Sequence, residues 1–323
     1  LTAWLARRIG QAIVTFVAAV VLMFVLMRLA PGDPLSRLQG ERPMGAEEVA
    51  ELRRKYGLDE PLGRQFLAFV QGVGRGEFGT SIEHGLPVQS LIAARIVPTL
   101  LLGGTAILLN FTLGLWLGVR QAVRRGSRED RALTLLSLTG YAMPSFWLGL
   151  VLAWAVGIEL RWLPAAGMSD PLLSGDAPWI ARALDVGSHL ILPALTLSAV
   201  TIAGTMRYQR SALIEVLHLP YIMTARAKGV SDRAVVWRHG WRNALFPVIT
   251  LFGLWLPILV TGSVFVESVF AWPGLGSLAA SAAMSRDYPL VMGAAVLAAG
   301  LVVTASLLTD LAYAWLDPRV RLS

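Results

Sequence analysis

Residues 189–206, HLILPALTLSAVTIAGTM, and residues 244–265, ALFPVITLFGLWLPILVTGSVF, flank a connection that contains YIMTARAKGVSDRAVVWRHGWRN at 221–243. A helix crosses hydrocarbon with about 20 predominantly apolar residues, and both outer strings meet that length. The middle string is basic and broken by a glycine. Arg207 and Arg210 close the first span, and Ser211 to Leu219 carries on as an amphipathic helix. Thr224 to Lys228 favours another helical turn, which Gly229 can end with a positive φ. Ser231 can then cap a second helix, with Asp232 in its first turn, running through Val235, Val236 and Trp237. The pattern predicts a short helix held outside the membrane between two spans.

Working outward, apolar windows mark six spans: Ile9 to Ala30, Thr99 to Val119, Leu133 to Ile158, His189 to Met206, Ala244 to Val264 and Pro289 to Leu311. Over 323 residues, 55% hydrophobic and 15% charged, the chain reads as an all-α polytopic membrane protein. Its formal charge of +7 does not point to nucleic acid, because the basic residues lie between apolar runs. Of its 28 Lys and Arg, 16 fall in the segments sharing a side with the N-terminus and 3 in the short loops opposite. That bias predicts that both termini are cytoplasmic. The N-terminal stretch has the basic flank of a secretory signal, but its apolar run is long and no small-x-small cleavage site follows, so it reads as a retained first span.

The expected organisation is a first helix at 1–30, an extracytoplasmic segment at 31–98, and a five-helix core at 99–318 that includes a cytoplasmic loop at 207–243. In the 31–98 segment, AEEVAELRRKYGL and PLGRQFLAFVQGV show helical periodicity and predict short amphipathic helices on the outer surface. Trp4, Trp162, Trp179, Trp272, Tyr288, Tyr313 and Trp315 sit at predicted span ends and read as interface anchors.

Motifs for bound cofactors or chemistry are missing or fail in context. GRGEFG at 74–79 matches G-x-G-x-x-G, but a helical pattern precedes it and no acid occurs between Glu83 and Glu129, so it reads as a turn. There is no G-x-x-x-x-G-K-[ST], no H-E-x-x-H and no G-x-S-x-G, and Cys is absent. No cofactor, metal or catalytic residue is expected. Arg28, Glu267 and Asp310 are the ionisable groups near apolar runs, and all fall near span ends, where snorkelling or an interfacial salt bridge is cheap. Prolines 144, 193, 247 and 257 lie within or beside spans and predict kinks.

TARAKG at 224–229 resembles the signature loop of permease subunits of bacterial ATP-binding-cassette importers, in the dipeptide, oligopeptide and nickel branch. LAPGDP, YGLDEPLGRQF, GEFGTS, PSFWLGL, HLILPALTLS, VFAWPGLG, RDYP and LDPRVR resemble that branch at the same places and in the same order. Met223, Thr224 and Ala225 occupy the Glu-Ala-Ala slots of the general motif, and Gly229 is its glycine. Met223, Pro220, Gly240 and Trp241 depart from the usual pattern. The resemblance implies a type I ABC importer (MetI-like) fold of six transmembrane helices, with Met223, Thr224, Ala225, Arg226, Ala227, Lys228 and Gly229 coupling it to an ATPase. It further implies a second homologous permease subunit, two cytoplasmic ATPases that bind the ATP, and an extracytoplasmic substrate-binding protein. A proton-coupled secondary transporter, which would work without an ATPase, and an intramembrane hydrolase are the alternatives from other classes.

Overall fold

The computed structural model describes residues 2–29, 35, 45–173, 176–245, 248, 251, 253, 255 and 264–316. Among them the elements are helical. α1 (Thr2–Leu29) is followed by two short helices, α2 (Ala46–Lys55) and α3 (Leu62–Arg75), then by α4 (Val88–Val123). α5 (Arg128–Ala142) and α6 (Ser145–Leu152) precede α7 (Trp179–Leu217) and α8 (Pro220–Ala227). α9 starts at Asp232–Ala234 and continues through a π-helical stretch, Val235–Gly240, into Trp241–Ala244. α10 (Val264–Val269), α11 (Leu275–Ser285) and α12 (Tyr288–Leu316) complete the order.

α1, α4, α7 and α12 are long and apolar enough to cross a membrane. They account for the expected first, second, fourth and sixth spans. The fifth, Ala244 to Val264, lies mostly outside the described residues. The third, Leu133 to Ile158, is covered by a bent pair: α5 and α6 meet at 107°, at the proline expected to kink it. Pro144 has no N–H for the preceding turn, and its ring forces Met143 into an extended conformation (φ −76°, ψ 130°). α6 then runs into a π-helical turn at Ala153–Glu159.

α2 and α3 are the amphipathic helices expected after the first span. α4 begins at Val88, so it crosses the expected 98/99 boundary with Pro98 inside it. Around this proline, the Trp272 Nε1–H donates to the Pro98 carbonyl at 3.0 Å, and the Leu275 N–H donates to Thr99 Oγ1 at 2.8 Å. Trp272 is therefore a core residue, 1% exposed, and not the interface anchor its position suggested. Trp162 and Trp179 are exposed as anchors would be. The side chains of Tyr313 and Trp315 lie outside the described ones.

The centre of the molecule is the α4–α7 pair, flanked by α5 and α6, while α1 packs on α12. Backbones approach closely where α4 carries glycine. A Cβ on Gly118 would lie 2.7 Å from the Met206 carbonyl oxygen and from Gln209 Cβ. Close approach through small residues is how helices associate when lipid competes for every apolar contact. Along this seam Asn110, Thr205 and Gln209 are fully buried. One apolar cluster fills the middle of the bundle, a second joins α4, α11 and α12, and a third joins α4, α7 and α9 at the end rich in arginine.

Candidate functional site

The third cluster supports the site. Val119 and Ala122 of α4, Ala212 and Leu213 of α7, and Val236 and Ala244 of α9 are buried together. Gly240 lets α9 lie this close, since a Cβ there would stand 3.1 to 3.2 Å from Leu217 and Leu213. The glycine at this departing position thus has a packing reason: it fits against two leucines. On this platform α7 runs without interruption past its apolar run to Leu217. Pro220 then sits in the first turn of α8, where a missing N–H costs nothing.

α8 is the helix expected between the spans. Only Ile222 is buried in it, and Met223, Thr224, Arg226 and Ala227 are exposed, with Ala225 half-buried. Lys228 and Gly229 are exposed too, at its C-terminal end. Gly229 has φ +79°, its N–H bonds the Arg226 carbonyl at 2.9 Å, and the Val230 N–H bonds the Ala225 carbonyl at 3.2 Å. These two bonds form a Schellman motif, the helix ending for which glycine is best suited. Ser231 takes the N-cap position of α9, but its side chain makes no capping bond, unlike the expectation. Arg226 instead pairs with Asp232 across the turn at 3.6 Å.

Tyr221 and Asn243 brace α8 against α9. Asn243 Nδ2 donates to the Tyr221 hydroxyl at 2.7 Å and to the His239 carbonyl at 3.0 Å. A second brace joins the start of α5 to α7. Arg210 donates to both oxygens of Asp130, at 2.9 Å each, and the Gly126 N–H adds a third bond. Such a bidentate pair is stronger and more directional than a single contact. The Arg210 bonds hold the Asp130 carboxyl below the ordinary carboxylate range, against the opposing effect of burial. Asp130 lies ahead of the apolar run that begins at Leu133. Beside it, Glu129 bonds both Arg120 and Arg124.

The other ionisable candidates are structural. Asp310 pairs with Arg8 at 3.2 Å and ties α12 to α1. Glu267 is fully buried and accepts from the Ser277 N–H at 2.6 Å, fixing the first turn of α11. Glu83, His84 and Asp287 bring possible metal ligands within 4.8 Å of one another. Asp287, however, already accepts from the Ser81 hydroxyl and the N–H groups of Glu83 and Leu290, which makes it a loop brace. GRGEFG is a turn, as expected, with Gly76 and Gly79 at positive φ.

The family described as binding-protein-dependent transport system inner membrane component matches residues 110–322, and the N-terminal family of the same systems matches residues 1–100. The chain belongs to this family. It is a multi-pass inner-membrane component of a transport system, with the all-helical fold that the family resemblance implied. Its relatives include the oligopeptide transport system permease protein AppB of Bacillus subtilis (strain 168), 40% identical over 321 residues that cover 99% of each chain. The dipeptide transport system permease protein DppB of Escherichia coli (strain K12) is 37% identical over 333 aligned positions, covering 98% of each. The di/tripeptide transport system permease protein DppB of Pseudomonas aeruginosa (strain UCBPP-PA14) is 39% identical with the same coverage.

Proposed function

We propose that this chain forms one half of the translocation pathway of an ATP-driven importer of di- or oligopeptides. One of two cytoplasmic ATPases would dock on α8, a homologous permease subunit would complete the pathway and receive the other, and an extracytoplasmic binding protein would deliver the peptide. Peptide is the favoured substrate because the relatives that align over nearly the full length are named as peptide permeases.

The observation that carries the coupling role is α8 itself. It is a capped helix with one buried anchor and an exposed face, Met223 to Gly229, standing beside the end of α7. Basic groups around it, Arg226, Lys228, Arg233, Arg238 and Arg242, suit an acidic groove on a partner. ATP would be bound by the ATPases, and alternating access would follow from rigid-body movement of the bundle. In this reading the arginine-rich end of the bundle, with both termini, is cytoplasmic.

Proteoliposomes holding the chain with the transport proteins encoded beside it should take up a radiolabelled peptide only when ATP and the binding protein are both present. Uptake that persists without ATP and collapses with the proton gradient would instead establish the secondary-transporter reading.

A further inference from the structure

Three of the strings noted in the sequence have no part in the coupling site. Tyr56 and Gln65 belong to YGLDEPLGRQF, Phe78 to GEFGTS and Tyr288 to RDYP, and all four line one cavity of about 600 Å³ at the far end of α1. Phe24 and Arg28 of α1 also line it, and its other charged residues are Lys55, Glu60, Arg64 and Glu77. The cavity is a built feature. Phe24 meets Phe66 edge-on at 5.1 Å and stacks with Phe69 at 6.0 Å, which fastens α3 onto α1. Gln65 Nε2 donates to the carbonyls of Glu60 at 2.6 Å and Leu58 at 3.3 Å, which fixes the turn between α2 and α3.

One group there is left over. The Arg28 guanidinium lies 5.5 Å from the Phe24 ring centroid, its Nε is buried, and that Nε takes no hydrogen bond among the described residues. Gln65 Oε1 is buried and unbonded in the same wall. A guanidinium sheltered in an aromatic-lined cavity matches a phosphate or carboxylate. Its height decides between them. Arg28 is in the last turn of a span running from Trp4 to Leu29, opposite the end that carries Arg7 and Arg8. It therefore sits at headgroup level. Val25, Leu26 and Leu29 beside it are exposed, as are Leu62, Leu67 and Val70 on amphipathic α3, the pattern of a helix lying in the membrane interface. α1 packs on α12, away from the α4–α7 seam, so a transported solute has less reason to reach this place than a lipid does.

We propose that this cavity is a phospholipid site, with the lipid phosphate on Arg28 and the acyl chains along the exposed face of α1. The bound lipid would join the 46–75 helices to the first span. The inference does not rest on the peptide reading, and either can fail alone.

The test uses the full chain co-purified with its transport partners, stripped of lipid and titrated with phosphatidylglycerol under native mass spectrometry. The wild type should hold one lipid more tightly than the rest, and Arg28→Gln should weaken that binding at least tenfold while Arg28→Lys retains part of it. Ala68→Glu, at an exposed position of α3 that lines the same cavity, adds an opposing charge without disturbing the core, and should also weaken it at least tenfold. Inorganic phosphate and dialanine should not displace the lipid. Equal retention in wild type, Arg28→Gln and Ala68→Glu would overturn the proposal. So would displacement by dialanine, which would make the cavity a peptide carboxylate site, or displacement by millimolar phosphate, which would make it a site for free anions.

Discussion

Gly229 offers the sharpest perturbation of the proposed coupling site. At φ +79° an ordinary L-residue is disfavoured by about 1–2 kcal/mol, and a β-branched one by more. A Cβ built there meets nothing within 4 Å among the described residues, so the penalty falls on the Schellman turn. Because α8 has only Ile222 buried, opening that turn leaves the bundle intact. Gly229→Val should therefore accumulate in the membrane with thermal stability near wild type. The population of the closed turn should fall by more than the factor of about 5–30 that 1–2 kcal/mol implies for an ordinary residue. Gly229→Asn is the companion, since asparagine tolerates the left-handed region yet still adds a side chain. If glycine serves only conformation, Asn should support transport in vesicles with the full set of partners and Val should not. If a partner surface also closes on the glycine, both variants should lose co-purifying ATPase. Normal transport by both would refute the docking role of this segment.

Asp130→Asn should destabilise the chain by about 2 kcal/mol, between the values for exposed and fully buried pairs, since Arg210 is partly exposed. Because the folded pKa of Asp130 is depressed, its contribution is complete above the unfolded value near pH 4 and fades as pH falls through the lower folded value. Melting temperatures between pH 7 and pH 3 should show that loss in wild type and less of it in Asp130→Asn. In α4, Gly118→Ala should cost about 1–3 kcal/mol because the new Cβ collides with backbone. Gly104→Ala, with open space around it, should be neutral or stabilising, and thermal unfolding in detergent compares the two.

What could be read from the chain beforehand was whatever depends on neighbours in sequence. Long apolar windows marked α1, α4, α7 and α12, and TARAKG followed by Val230 marked both α8 and the glycine that ends it. The features missed depend on partners far along the chain. Pro144 was recognisable as a kink, but the size of the bend depends on what α5 and α6 pack against. Trp272 looked like an anchor because it follows a span, whereas its carbonyl partner is Pro98. The Asp130–Arg210 pair joins residues 80 apart. Asn243 closes the stretch at 221–243 with no local mark of its bond to Tyr221. Arg28 was legible as a residue near a span end, but the cavity around it requires α2, α3 and the start of α12 together.

The unbroken course of α7 has a mechanical consequence. At 1.5 Å per residue its 39 residues form a rod of about 58 Å, long enough to span the bilayer and project beyond it. Pro193 removes one hydrogen bond without ending the helix, and the glycines of α4 meet it between Ile202 and Gln209, nearer its α8 end. A tilt of about 10° about Thr205 would swing the α8 end by about 3 Å and the Trp179 tip by about 7 Å, given the same rise per residue. Any force that draws α8 sideways is thereby delivered, with reversed direction, to Trp179 at the opposite tip. The rod would act as a first-class lever with its fulcrum at the α4 seam, so that opposite displacements of its two ends become a single movement.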